Sequence, residues 1–162
     1  MPKLEELIKL AKNKIIINLE IKDPRIDLIF PKITKLIEKY DFHDQIFFTS
    51  FYNEYYNIIK KKGKNIIFQF AYRENVTYSQ FDFSKKGNIM SIYWKNITKE
   101  ICDKAHANGM AVSASLRFDK ESSRIYKNLI EAGVDAISVN EPSFAKRYRD
   151  FYYKKHNVKI KN

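Results

Sequence analysis

The apolar residues of this chain alternate between a helical spacing and short continuous runs, and the alternation repeats along the whole length. Apolar positions three and four residues apart predict an opening amphipathic helix over 4–11. Short runs rich in β-branched residues predict strands at 15–21, 45–50, 65–70, 110–116 and 134–139, with a further short strand at 89–94. Helices and strands in alternation with short connections predict an α/β fold of parallel strands.

Proline, glycine and small polar residues mark where the intervening helices begin and end. Pro31 and Pro142 are each predicted to open a helix, because the first helical turn needs no N–H from proline. Capping oxygens are predicted at Asn96 or Thr98 and at Asp119. Three glycines are predicted to end helices, because glycine tolerates left-handed backbone: Gly63 (after a helix over 52–62), Gly109 and Gly133.

The length and the strand pattern decide between two arrangements of such a sheet. No glycine-rich phosphate loop follows any strand, which argues against an open nucleotide-binding sheet. A complete (β/α)8 barrel takes about 250 residues, whereas this chain has 162. We therefore predict a single domain over 1–162, an incomplete (β/α)8 TIM-type barrel of parallel strands alternating with helices. Within it, residues 71–88 form a long polar and aromatic loop, a kind of segment that is usually functional or poorly ordered.

The formal net charge of +11 raises the question of a nucleic-acid partner. Lysine supplies most of this charge, and only six of the 30 basic residues are arginine, the residue that base readers favour. The densest basic run, Lys60 to Lys62 with Lys64, stands where a helix is predicted to end and where cations are favourable. The composition therefore argues against nucleic-acid binding.

The sequence also bears on location and on cysteine chemistry. No run reaches the roughly 20 apolar residues needed to span a bilayer, and the first residues lack an apolar signal region. We therefore predict no transmembrane segment and a cytoplasmic location. Cys102 is the only cysteine, which excludes an intrachain disulfide, and its place in a helical pattern predicts a small core residue.

The segment 17–22 contains the pattern with the clearest chemistry. Side chains alternate along a strand, so Asn18, Glu20 and Lys22 share one face and the aliphatic residues between them share the other. A carboxylate on a buried face needs a cation or hydrogen-bond donors, which Lys22 or a metal ion would supply. At the carboxyl end of a barrel strand, this arrangement indicates an active site. The alternative is an edge strand whose polar face is solvated.

Five short segments follow one another along the chain in a recognisable order. The first three are Leu4-Glu5-Glu6-Leu7, Asn18-x-Glu20-x-Lys22 and Thr49-Ser50-Phe51. The last two are 97–109, which contains Ala-His-x-x-Gly, and Gly133-Val134-Asp135-Ala136-Ile137, followed by Pro142. Together they resemble the glycerophosphodiester phosphodiesterase family, over residues 4–145 and thus nearly the whole chain.

The resemblance implies a metal-dependent hydrolase of lipid and glycerol metabolism with a (β/α)8 barrel. Such enzymes cleave glycerophosphodiesters to glycerol 3-phosphate and an alcohol, usually with Mg²⁺ or Ca²⁺. By the same resemblance, Glu20 is the metal-binding glutamate and Lys22 is the lysine near the phosphate. An oxygen ligand such as the Glu20 carboxylate suits these hard cations.

Several elements of the family pattern have no counterpart in the sequence, and the resemblance implies that the N-terminal strands of the barrel are missing. The His-Arg-Gly strand, the Glu-x-Asp metal pair and the His-Asp pair are absent, so no residue is predicted to be catalytic. The family's Trp-Thr-Val strand corresponds to Ser115-Leu116-Arg117, which lacks the aromatic wall, and its Thr-Asp corresponds to Val139-Asn140. The resemblance therefore implies an enzyme family but predicts an inactive isolated chain, and whether the chain is an enzyme stays open.

Two functions remain open at this point, and a basic protein associated with nucleic acid is a third alternative, which the composition argues against. The chain is either part of a phosphodiesterase that acts when its missing strands are supplied, or a degenerate barrel that serves as a non-catalytic binding or interaction module. Exposed strand edges predict a partner in either case, another copy of the chain or a separate N-terminal fragment. The histidines His43, His106 and His156 are not predicted to replace the missing acid–base pair, and His106 is predicted to be structural.

Overall fold

The computed structural model describes residues 3–62, 66–117 and 119–157, and the chain divides into two compact units between residues 71 and 72. The first unit contains α1 (Leu4–Ala11), β1 (Ile17–Glu20), α2 (Ile26–Tyr40), β2 (Ile46–Ser50), α3 (Glu54–Lys62) and β3 (Phe68–Ala71). The second contains β4 (Ile89–Tyr93), α4 (Lys99–Ala107), β5 (Ala111–Ser115), α5 (Ser123–Ala132), β6 (Ala136–Ser138) and α6 (Pro142–Lys155). Among the described residues, none of these helices combines the length and the apolarity needed to cross a membrane. That residues 1–162 form a single domain stays a prediction.

The strands of the first unit form a parallel sheet with β2 between β1 and β3. Their register aligns Glu20 of β1 with Thr49 of β2, and Thr49 with Gln69 of β3. The residues between these positions face the helices. Phe48 is buried, and its ring meets that of Phe30 in α2 edge-on, with the centroids 5.2 Å apart. The sheet therefore has one apolar face packed on helices and one polar face.

The strands of the second unit repeat this arrangement, with β5 between β4 and β6. The apolar face of β5 joins a core formed with α5: Ala114, Leu116, Tyr126 and Leu129. Ser113 and Ser115 alternate with these residues and so lie on the opposite face. Polar strand faces are thus present in both units.

Helix α2 begins five residues earlier than predicted, at Ile26, and Pro31 lies inside it rather than at its start. Proline inside a helix removes one backbone hydrogen bond, which normally disfavours the position. Here a continuous apolar stripe outweighs that loss, because Ile26, Phe30, Ile33 and Ile37 are all buried. The prediction that Pro31 opens the helix is therefore wrong.

The caps of the later helices follow the predictions with one correction. The Thr98 hydroxyl accepts a hydrogen bond from the Ile101 N–H and caps α4, and Gly133 ends α5 with φ of +92°. The predicted Asp119 cap of α5 is wrong. Ser122 takes that place because it immediately precedes the first helical residue, and its Oγ accepts from the Ile125 N–H.

The strands are shorter than the apolar runs that predicted them. Ile15 and Ile16 are exposed and precede β1. Gln45 holds this part of the backbone instead, since its side-chain amide donates to the Ile15 carbonyl at 3.0 Å. The predicted strand 134–139 is similarly reduced to the three residues of β6.

Helix α3 ends at Lys62, where the basic run was predicted to end a helix. Its predicted glycine end, Gly63, and the first residue of the predicted third strand, Asn65, lie outside the described residues, as does Lys64. Lys60 and Lys61 lie in the last turn of α3, where their positive charges interact favourably with the negative end of the helix dipole.

The predicted loop 71–88 contains a small aromatic core. Ala71 belongs to β3, and Tyr78–Gln80 forms a single turn of 3₁₀ helix. Tyr72 and Phe81 are buried and their rings meet edge-on, with centroids 4.9 Å apart. The Tyr72 hydroxyl also accepts a hydrogen bond from the Asp82 N–H at 3.1 Å. The segment is therefore folded around these two rings.

Candidate functional site

The predicted site residues Glu20 and Lys22 lie next to each other at the carboxyl end of β1. Glu20 is the last residue of the strand, and the Lys22 Nζ is 3.2 Å from its Oε2 atom. The side chains are 35% and 77% exposed, respectively. The structure therefore pairs the carboxylate with the lysine, one of the two partners that the sequence pattern allows, and leaves both groups accessible.

Asn18 lies on the same polar face, and the neighbouring strand orients its side chain. The Thr49 hydroxyl of β2 donates a hydrogen bond to the Asn18 Oδ1 atom. Thr49 is buried and pairs in register with Glu20. The row that ends β1 and β2 thus consists of a carboxylate, an amide and a hydroxyl, all of which can bind cations or hydrogen-bond donors.

The backbone that carries Lys22 is anchored to β2. The Ile21 N–H donates to the Thr49 carbonyl at 2.9 Å, and the Ser50 hydroxyl donates to the Ile21 carbonyl at 3.0 Å. Ser50 is buried, and its Oγ also accepts from the Tyr52 N–H at 3.1 Å. A buried hydroxyl therefore joins the end of β1 to the segment after β2, which fixes the base of the Lys22 side chain.

The next carboxylate along the chain, Asp23, is already engaged. Arg25 donates to it through Nε at 2.9 Å and through Nη2 at 2.6 Å, and the Arg25 backbone N–H donates as well. Hydrogen bonding from the Arg25 side chain, and then from its backbone, lowers the pKa of Asp23 to about 2. This ion pair was missed at the sequence level, although the spacing of an aspartate two residues before an arginine was visible.

The residues around Glu20 supply only part of the ligand set that the expected Mg²⁺ or Ca²⁺ ion needs. Mg²⁺ and Ca²⁺ take about six or more oxygen ligands, which usually include several carboxylates or waters. Glu20 supplies one carboxylate, and it is paired with Lys22. Within the part of the chain that the structure describes, no group of three or more His, Cys, Asp or Glu side chains could hold a metal. These residues alone do not form a complete site for either ion.

His43 and His106 each lie toward the amino ends of the strands in their own unit. His43 begins the 3₁₀ turn that precedes β2. His106, at the end of α4, has its Nε2 atom 2.9 Å from the Asp135 Oδ2 atom just before β6. His156 follows α6, and its ring stacks on Tyr152 with centroids 4.1 Å apart. That none of them replaces an acid–base pair stays a prediction.

A second polar cluster, which the sequence analysis missed, stands at the carboxyl ends of β4 and β5. The Asp119 Oδ2 atom accepts hydrogen bonds from the Tyr93 hydroxyl and from the Trp94 Nε1–H, both at 2.6 Å. The Lys95 Nζ is 3.6 Å from the same oxygen. The hydrogen bonds from Tyr93 and then Trp94 lower the pKa of Asp119. The signal was the run Tyr93-Trp94-Lys95 at a strand end.

The comparisons with known proteins agree with this architecture. No family model and no curated protein matches the sequence. Solved structures do match. A protein of Galdieria sulphuraria assigned as a glycerophosphodiester phosphodiesterase is 23% identical, with a TM-score of 0.79 over 92% of this chain and 64% of its own. A glycerophosphodiester phosphodiesterase of Parabacteroides distasonis ATCC 8503 is 13% identical, with a TM-score of 0.71 over 93% of this chain and 65% of its own. The chain has the fold of the glycerophosphodiester phosphodiesterases.

The resemblance seen between Leu4 and Pro142 is thereby supported by the fold. The predicted fold class, an incomplete (β/α)8 TIM-type barrel of parallel strands alternating with helices, is confirmed. The chain spans between 57% and 65% of the length of five of the solved structures that it matches. The roles of Glu20 and Lys22 stay predictions, because a likeness at this identity bears on the fold alone.

Proposed function

We propose that this chain is part of a protein that binds and hydrolyses glycerophosphodiesters, releasing glycerol 3-phosphate and an alcohol. The observation that carries the proposal is the Glu20–Lys22 pair, which stands at the carboxyl end of a parallel strand in a chain with the fold of the glycerophosphodiester phosphodiesterases. Enzymes built on barrels of this kind hold their chemistry at that end of the strands.

In this proposal, Lys22 contacts the phosphate of the diester. Its side chain is 77% exposed while the backbone of the preceding residue, Ile21, is bonded to β2, so the side chain can turn from Glu20 toward a ligand. Lysine binds phosphate as a compact positive charge with three donors. The single negative charge of a phosphodiester then replaces the Glu20 carboxylate as the partner of Lys22.

Glu20 contributes one oxygen ligand to a divalent cation, Mg²⁺ or Ca²⁺. Such an ion, when bound, stabilises negative charge on phosphoryl oxygens. The remaining ligands come from outside the residues described here, since one carboxylate does not complete the site. We accordingly propose that the chain alone binds the diester but does not hydrolyse it.

The positions of the histidines support this last step. General acid–base catalysis needs a group within hydrogen-bond reach of the leaving oxygen. His43 is in the same unit as Glu20 and precedes β2, so it lies toward the amino ends of the strands rather than at the end that carries Glu20. His106 is bonded to Asp135 within the second unit. The same observation favours the second candidate function, a non-catalytic binding or interaction module. A partner that supplies further strands, or a second copy, stays a prediction, as does a cytoplasmic location.

The test combines binding with turnover, using glycerophosphocholine as the diester. Titration calorimetry of the full chain is expected to show binding that Lys22→Met weakens at least several-fold. Lys35→Met, which removes an exposed lysine of α2, is the matched control and should bind like the parent. Release of glycerol 3-phosphate, measured with Mg²⁺ or Ca²⁺ present, is expected to be absent. Turnover by the chain alone would refute the non-catalytic step, and equal binding by both variants would refute the role of Lys22.

A further inference from the structure

Arg117, in the second unit, has an unusual backbone conformation. It follows β5 with φ of +52°, in the left-handed region that costs free energy for any residue with a side chain. The Asn140 amide donates to the Arg117 carbonyl at 2.8 Å, which holds the backbone in this conformation. Residues held in such conformations occur preferentially at ligand sites, where the surrounding structure maintains the strain.

The Arg117 side chain is positioned by an aromatic ring rather than by hydrogen bonds. Its Cζ atom lies 5.8 Å from the centroid of the Tyr93 ring. Its nearest carboxylate, Glu74, is 3.7 Å from Nη1, which is longer than a hydrogen bond. In the described part of the chain no side chain accepts a hydrogen bond from this guanidinium, which is one-third exposed. Its planar set of donors is therefore oriented but available.

A second cation, Lys95, lies on the same aromatic pair. Its Nζ atom is 5.4 Å from the Tyr93 centroid and 5.5 Å from the Trp94 centroid. Asp119 accepts hydrogen bonds from both aromatic side chains and thereby fixes the rings. Lys95 reaches that carboxylate only at 3.6 Å. Two cations thus flank Tyr93, and neither forms a short hydrogen bond to its carboxylate.

Hydroxyl groups continue this polar face across the strands. Tyr93 of β4, Ser115 of β5 and Ser138 of β6 occupy paired positions in the parallel register. The backbones of neighbouring strands are about 4.8 Å apart, so these three positions form one row along the polar face. Arg117 lies two residues beyond the end of β5, and the contact of its Cζ atom with the Tyr93 ring places it beside this row.

We infer that Arg117 and Lys95 form a binding subsite for a phosphate group at the carboxyl ends of β4 and β5. The guanidinium offers paired N–H donors that match two phosphate oxygens, and Lys95 adds the second positive charge. The phosphate displaces the long contact between Arg117 and Glu74. The subsite lies within the second unit and does not depend on the proposed roles of Glu20 and Lys22.

Binding to the full chain is measured by titration calorimetry with two soluble probes, inorganic phosphate and glycerol 3-phosphate. Arg117→Gly is the main variant, because glycine accepts the positive φ while the guanidinium is lost, so its melting temperature should not fall. It is expected to lose at least tenfold in affinity, and Arg117→Lys to recover only part of the loss. Arg147→Gln, which removes an exposed arginine of α6 and the same charge, is the control and should bind like the parent.

The variant Glu74→Gln is expected to change the affinity for phosphate in the opposite direction. It removes the carboxylate that competes for Arg117, so the affinity for phosphate should rise.

Sedimentation with phosphatidylcholine vesicles, with and without phosphatidic acid, distinguishes a lipid headgroup from a soluble ester. Binding of the soluble probes or of the vesicles that depends on Arg117 supports the subsite and shows whether the phosphate group belongs to a soluble ester or to a lipid. Absence of binding to both the soluble probes and the vesicles, or an equal loss in Arg147→Gln, overturns it. If Arg117→Gly fails to fold, Lys95→Gln must show the loss instead.

Discussion

The ammonium of Lys22 lies 3.2 Å from the carboxylate of Glu20, two residues away along the end of β1. Both side chains are accessible, at 77% and 35% exposure. Ion pairs in such positions contribute little to stability, because water screens the charges and the long side chains lose freedom when they pair. The pair therefore does little to hold the fold, which leaves both groups available to a ligand.

Removing this pair is expected to leave the fold almost unchanged. The free energy of unfolding of Glu20→Gln, Lys22→Met and the double variant should each differ from the parent by less than about 1 kcal/mol. Urea denaturation of all four proteins gives the coupling between the two residues. A coupling of about 3 kcal/mol or more, as found for broken buried pairs, would contradict the assignment of this pair to ligand binding.

Trp94 is the only tryptophan of the chain, so its fluorescence reports on the Asp119 cluster. Hydrogen bonds from Tyr93 and then from Trp94 lower the pKa of Asp119. A carboxylate whose pKa is lowered by folding stabilises the fold above its unfolded pKa, and this contribution is lost as the pH falls through the folded value. The fluorescence of Trp94 should therefore change with a midpoint below the ordinary aspartate value of about 3.9.

The variant Asp119→Asn separates this transition from general acid unfolding. Its amide oxygen still accepts a hydrogen bond, but it carries no charge to titrate. We expect the acid-dependent change in Trp94 emission to disappear while the far-ultraviolet circular dichroism stays that of the parent at neutral pH. An unaltered titration in Asp119→Asn would show that another carboxylate is responsible.

Glu121 joins α5 to the start of α6 through a single carboxylate. It accepts hydrogen bonds from the Tyr126 hydroxyl and from the backbone N–H groups of Asn140 and Glu141. Burial, the largest single influence, raises the pKa of Glu121, but the hydrogen bonds from Tyr126, Asn140 and Glu141 together hold it below its ordinary value. Burial and the bond to Glu121 also raise the pKa of the Tyr126 phenol.

We therefore expect Glu121→Ala to lower the free energy of unfolding by about 2 to 3 kcal/mol, because a charged acceptor is lost from three donors. Tyr126→Phe removes one donor and should cost about 1 kcal/mol. Glu131→Gln, which changes an exposed residue of α5, is the control and should alter stability by no more than about 0.5 kcal/mol. Urea denaturation measures all three, and similar values for Glu121→Ala and Glu131→Gln would refute the connection.

The sequence predicts the order of helices and strands well, because the spacing of apolar residues and the glycines that end helices both depend on residues close together in the chain. Gly109 and Gly133 both have positive φ, as their predicted helix-ending role requires. The errors arise where tertiary packing outweighs a local rule. Pro31 lies inside α2 because the apolar stripe continues through it. Ser122 caps α5 because the helix begins at Ser123, and Asp119 instead accepts hydrogen bonds from Tyr93 and Trp94.

The candidate site also has a part that the sequence predicts and a part that it does not. Strand alternation alone places Asn18 and Glu20 on one face, and the Lys22 contact follows from a spacing of two residues. The cluster around Arg117 joins residues from three separate segments, at Glu74, Tyr93 and Asp119. A single sequence contains no periodic signal for such contacts, because the positions are brought together only by the register of parallel strands.

The last prediction concerns Asp135, in the segment Gly133-Val134-Asp135-Ala136-Ile137 that carried part of the resemblance. Its Oδ2 atom accepts from the Val112 N–H at 2.7 Å and lies 2.9 Å from the His106 Nε2 atom, while its own N–H donates to the Val112 carbonyl at 2.9 Å. One aspartate thus connects the end of α4 with the starts of β5 and β6. Its role is structural, and it lies at the ends of the strands opposite Arg117.

Asp135→Ala is expected to lower the free energy of unfolding by about 1 to 3 kcal/mol, because Val112 is buried and its N–H would lose its acceptor. His106→Ala should cost less, since it removes a donor that is 40% exposed. Asp103→Ala, which breaks an exposed pair with Lys99 in α4, is the matched control and should be nearly neutral. Urea denaturation ranks the three. If His106→Ala costs as much as Asp135→Ala, the histidine contact rather than the Val112 bond fixes the register of β5 and β6.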